Sequence, residues 1–117
     1  MPNLGLNFDP SHLYRAGEDP SQVAGRWGAA VFSSHFRDCE SRSSRGTPEL
    51  QVPGGGEMPL DQVWEALVQL PNVAAVSLQI VGARDYSVAD SARLAENGFA
   101  FFNTRMRPNG STATESR

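Results

Sequence analysis

The sequence predicts an α/β domain of three consecutive βα units with parallel strands. Short apolar runs of strand length recur at residues 4–8, 29–35 and 73–82, and each is followed by helical periodicity or helix-start chemistry. Strands and helices alternating in this way pack as a parallel sheet with crossover helices. The composition agrees: 117 residues, 39 % apolar and 9 % aromatic, make one globular domain with a single modest core.

The elements follow in order. "LGLNF" (4–8) alternates apolar with small or polar residues, as a short strand does. In "DPSQVAGRWG", Asp19 is suited to cap a helix, Pro20 to open it and Gly28 to stop it. "AAVFSSH" (29–35) reads as a strand covered on both faces. Residues 36–58, rich in Ser, Arg, Gly and Pro, read as a long loop of the kind that is either functional or disordered. Leu60, Val63, Trp64 and Leu67 then recur at helical spacing until Pro71, and "VAAVSLQIVG" (73–82) is the third strand. Val88, Ala92, Ala95, Phe99, Phe102 and Met106 follow at steps of three and four, one face of a helix that carries Gly98 inside it at about 1 kcal/mol relative to alanine. The domain is read over 1–107 and "PNGSTATESR" (108–117) as a disordered polar tail.

Composition also excludes chemistries. The one cysteine, Cys39, allows neither an internal disulfide nor a zinc site built from thiolates. All ten basic residues are Arg, which removes lysine as nucleophile or general base. A net charge of −3, without interleaved basic and aromatic residues, predicts no nucleic-acid partner. No apolar run approaches the ~20 residues of a spanning helix and the opening residues do not read as a secretory signal, so the expectation is a cytoplasmic protein with no membrane partner.

In a parallel α/β sheet every strand-to-helix loop emerges at the carboxyl ends of the strands. The first strand ends in Asp9 with His12 close behind, the second in His35 with Arg37 and Asp38 behind it, and the third near Gln79. Singly these are a turn-starting Asp, a solvated histidine, a packed histidine and a buried amide. Three strand ends converging on one rim make a candidate site, and a carboxylate beside an imidazole suits a divalent ion such as Mn, Mg, Co or Zn. "PGGGEM" (53–58) lacks the Lys and Ser/Thr of a phosphate-binding P-loop and reads as the entry to the next helix, and Arg42 and Arg45 read as solvated charges.

Taken in order, "GLNFDPSHLYRAGEDP", "VFSSHFRDCE", "PGGGEMPLDQVWEAL" and "AAVSLQI" resemble the C-terminal part of the sugar phosphate isomerase/epimerase family, whose fold is the xylose-isomerase-like TIM barrel. The resemblance covers roughly residues 4–106. It implies strands 6–8 of the eight in a barrel and a divalent ion held by two Glu, one Asp and one His. It further implies proton transfer between adjacent carbons of a sugar or sugar phosphate through an enediolate. Asp9 then resembles the metal Asp, His35 the metal His and His12 a catalytic, substrate-contacting histidine. Arg37 and Asp38 fall where the family contacts substrate.

Departures accompany the match. The family's last Glu falls at Gln79, and an amide cannot take and return a proton. Arg37 replaces a Lys and Ser33 a His. The chain is then expected to be a truncated gene product or the C-terminal piece of a split barrel, paired with an N-terminal half-barrel chain or with itself, the alternative being rearrangement into a self-sufficient small α/β fold. The expected function is thus an isomerase or epimerase fragment without activity of its own. The alternative is a non-catalytic or split-barrel partner subunit, and cyclitol dehydratase or endonuclease IV-like chemistry stands behind both.

Overall fold

The structure is a computed structural model that describes residues 4–106, so the expected tail at 108–117 lies outside the described residues. Strands β1 (Leu6–Phe8), β2 (Val31–Phe36) and β3 (Ala75–Leu78) form a parallel sheet in the order β1-β2-β3. Helices α1 (Pro10–Arg15) and α2 (Pro20–Trp27) join β1 to β2. Helices α3 (Pro48–Gln51) and α4 (Leu60–Val68) join β2 to β3, and α5 (Val88–Met106) follows β3. The expected α/β class is present as a three-stranded parallel sheet with flanking helices.

The same dipeptide starts the first two helices. Asp9 and Asp19 have extended backbones, and their carboxylates accept from His12 N and Ser21 N while Pro10 and Pro20 open the helices. Only the second was expected as a helix. At six residues, α1 is too short for an apolar period to reveal it.

Val31, Ser34 and Phe36 of β2 are buried, and Phe36 meets Trp64 of α4 and Phe101 and Phe102 of α5 at ring-centroid distances of 5.7, 5.5 and 5.5 Å. Ala24 of α2 and Val63 and Leu67 of α4 belong to the same core, so helices from both crossovers and the helix after β3 share it. Right-handed crossovers along a sheet that always steps in one direction place their helices on one face. The other face carries Asn7, Ser33 and His35, joined by hydrogen bonds, with Ser77 in register beside His35.

Four boundaries differ from expectation. Gly28–Ala30 form a 3-10 turn, so β2 begins at Val31, and it is buried on one face rather than two. Between Leu6 and Asn7 the pairing slips by one residue, leaving Phe32 unmatched, with its ring so close to Gly5 that a Cβ there would sit 2.2 Å from it. The 36–58 segment contains α3, and the third strand is only four residues long.

The α5 stripe is a larger correction. Leu94, Gly98, Phe101 and Phe102 are the buried residues, whereas Val88, Phe99 and Met106 of the expected stripe are 87, 52 and 65 % exposed. Two neighbouring stripes fit steps of three and four. The close approach of α5 to β3 selects between them, because a Cβ on Gly98 would lie 2.4 Å from Leu78 Cδ2.

Among the described residues β1 and β3 are the sheet edges. A largely apolar groove of ≈ 410 Å³ runs beside β1, between Leu6, Val23, Trp27 and Val31, and opens on Asp9 and His12. A second, of ≈ 400 Å³, runs beside β3 between Ala75, Phe99 and Met106. No helix among the described residues is long and apolar enough to cross a membrane.

Candidate functional site at the strand ends

The carboxyl ends of the three strands meet at one buried guanidinium. Arg37 follows β2 directly, and its side chain is only 4 % exposed. Its Nη1 donates to Gln79 Oε1 at 2.5 Å, and its Nη2 lies 3.3 Å from Asp9 Oδ2 and 3.0 Å from His12 Nε2. Each partner is fixed by its own backbone element. Asp9 caps α1 through Oδ1, His12 sits in the first turn of that helix, and Gln79 continues the β3 ladder by donating its amide N–H to Phe36 O.

Asp9, His12, Arg37 and Gln79 therefore come together as expected, around a protein cation. His12 keeps the largest opening to solvent, its side chain 66 % exposed, and its Nε2 also lies 3.6 Å from Asp9 Oδ2. An arginine has only donors, so in this contact His12 Nε2 is the acceptor and the ring proton sits on Nδ1. Arg37 Nε has no partner in the described structure.

His35 belongs to a second chain of contacts. Asn7 Nδ2 lies 3.3 Å from His35 Nδ1, and Asn7 Oδ1 accepts from Ser33 Oγ at 3.0 Å. This chain links the ends of β1 and β2 across the polar sheet face. Asn7 was not among the expected site residues. Its only signal in the sequence is alternation, which places it on β1 two residues before Asp9.

Asp38 turns into the backbone of the loop that follows it. It is 1 % exposed, and Oδ1 accepts from the backbone N–H groups of Cys39 (2.9 Å) and Met58 (3.0 Å) while Oδ2 accepts from Gly54 N (3.0 Å). The glycine-rich "PGGGEM" run is the seat of this carboxylate, and a Cβ on Gly56 would come within 2.6 Å of Asp38 Oδ1. Asp38, expected to meet substrate, is buried and gives three acceptor positions to the loop backbone.

The same excursion is tied down at both sides. Gln51, fully buried, donates to Gly46 O and Val81 O and accepts from Val81 N, bridging to the segment after β3. Tyr86 donates to Glu49 on that side, and Tyr14 of α1 donates to Glu57 on the other. Arg42 stacks on the Tyr14 ring, 3.9 Å from its centroid, and bonds Tyr14 O, so its charge holds the loop to α1 rather than facing a phosphate. The hydrogen bond to Glu57 raises the Tyr14 phenol, and that to Glu49 raises Tyr86. Burial, followed by the Asp38 charge, raises the Cys39 thiol.

The described residues do not fit a divalent ion. Asp9 already faces a guanidinium, and no group of three or more His, Cys, Asp or Glu among them could hold one. Comparison with known proteins finds no matching family model, no matching curated relative and no matching solved structure.

Proposed function

We propose that this chain is part of a xylose-isomerase-like barrel that binds a sugar or sugar phosphate at the carboxyl ends of its strands and serves as a non-catalytic binding or partner subunit. One observation carries the reading: side chains from all three strand ends, Asp9 and His12, Arg37, and Gln79, meet at one rim. Beside that rim, the polar sheet face holds Asn7, Ser33 and His35. Polyhydroxylated ligands are recognised by such convergent donors and acceptors. Gln79 argues against proton transfer, because an amide acts neither as general base nor as general acid at neutral pH. The exposed Leu6 and Trp27 along β1, and Phe99 and Met106 along the β3 groove, are the surfaces that a half-barrel chain or a second copy would cover.

The test is a nuclear magnetic resonance titration of the full chain with pentoses, hexoses and their phosphates. Binding shifts the ring resonances of His12 and His35 and the side-chain amides of Asn7 and Gln79. The same samples in D₂O show no exchange at the sugar C–H groups. Absence of shifts at all four residues with millimolar ligand would falsify the reading.

A second reading, a sugar isomerase or epimerase, draws on the contact between Arg37 and Gln79, which a carboxylate could make equally well. Isomerisation by the Gln79→Glu variant alone identifies a chain that has lost its chemistry. Isomerisation by the natural chain replaces the first reading with the second.

A further inference from the structure

The resemblance assigns Asp9 to a metal ion and Gln79 to the position of a metal-binding, proton-transferring Glu. In the structure both contact the same group, and that group is Arg37. His12 joins them through Nε2. Three side chains with acceptor atoms directed at one centre make a cation site, and here a guanidinium belonging to the protein fills it.

We propose that Arg37 replaces the divalent ion of the barrel family, so that this site holds its three acceptors together without metal. The inference rests on the barrel reading above. Arginine is suited to the exchange because it stays charged at every physiological pH and has five donors in a rigid plane. Its Nη1 and Nη2 reach Gln79, Asp9 and His12 simultaneously, and no flexible lysine amine could span the three with the same geometry. The replacement also accounts for Gln79. Asp9 already neutralises the single guanidinium charge, and a second carboxylate would leave the buried cluster net negative, whereas an amide supplies an acceptor without charge.

Manganese titration of the full chain, without sugar, tests the proposal through paramagnetic broadening. In the natural chain the signals of His12, His35 and Gln79 broaden no more than those beside the exposed carboxylate of Asp61, and Asp9→Asn, which retains the helix cap, changes nothing. Arg37→Met combined with Gln79→Glu removes the resident cation and adds a carboxylate, and Mn²⁺ affinity at the strand ends rises at least tenfold. Selective Mn²⁺ binding by the natural chain that Asp9→Asn weakens tenfold overturns the proposal whether or not the double variant folds. A folded double variant that gains no Mn²⁺ binding overturns it as well. Sugar binding is read in separate, metal-free samples, so either result can fail alone.

Discussion

Substituting Asp38 separates the shape of a buried side chain from its charge. Its carboxylate accepts from Cys39 N and Met58 N on one oxygen and from Gly54 N on the other. Cys39 and Met58 are buried, so in Asp38→Ala their amides find no solvent, whereas Gly54 is exposed and water can replace its partner. A hydrogen bond to a charged group contributes about 1.5–3 kcal/mol, and the two buried bonds dominate the loss. Removing a buried charge returns part of that, leaving a cost for Asp38→Ala of about 3–5 kcal/mol. Asp38→Asn can keep its carbonyl on Cys39 and Met58 and turn its NH₂ towards Gly54, which loses one bond and opposes two donors at a cost of about 1–2 kcal/mol. Urea unfolding at unchanged slope measures both values. Hydrogen exchange locates them, with faster exchange at Gly54 alone in Asp38→Asn and at all three amides in Asp38→Ala. Equal costs for the two variants, or a cost for Asp38→Ala below about 1 kcal/mol, refute the assignment of this carboxylate as the organiser of the glycine-rich turn.

Three further predictions address the core, the thiol and pH. Phe101→Ala lowers stability by about 3–5 kcal/mol and Phe99→Ala by less than about 1 kcal/mol, as read by urea unfolding, because only Phe101 lies in the ring cluster with Phe36 and Trp64; similar losses would restore the stripe expected from sequence. Cys39, fully buried with its thiol held above the ordinary range, reacts with a thiol reagent only as the domain opens, so its native labelling rate falls far below that in urea. The fold favours the protonated Tyr14 phenol, so this contribution is complete below its ordinary pKa of 10.0 and is lost as pH rises through the higher native value. In Tyr14→Phe the alkaline fall in unfolding stability is correspondingly shallower, and an unchanged fall removes the Glu57 bond as its cause.

What was legible in the sequence is what local chemistry dictates. The Asp-Pro pair announced α2, the Leu60, Val63, Trp64 and Leu67 spacing announced α4, and all four are buried as that spacing requires. The convergence of Asp9, His12, Arg37 and Gln79 was legible because strand direction alone decides which loops share an edge. Contacts across long sequence separations were not legible. Gln51 pairs with Val81 thirty residues away, and nothing in "PELQVPG" marks that glutamine as buried. The α5 face was misread for a similar reason: the choice between Phe99 and Phe101 depends on Leu78, which lies on another element. That Arg37 would be an internal partner of Asp9 depends on both side chains sharing one small volume, which no local pattern records.

The long excursion between β2 and α4 changes how the strand-end cluster should be understood. It begins at Asp38, next to Arg37, and its own bonds run to α1 on one side through Tyr14 and Arg42 and to the segment after β3 on the other through Gln51 and Glu49. Those two flanks carry His12 and Gln79, the outer partners of Arg37. The excursion therefore fixes the spacing of the very groups that surround the guanidinium, and a guanidinium needs that help more than a metal ion does. An ion draws its ligands inward by its own field, whereas the planar Arg37 head binds in one orientation and must find its acceptors already in place. A chain that replaced metal with arginine would need such a brace across its rim, and this one has it.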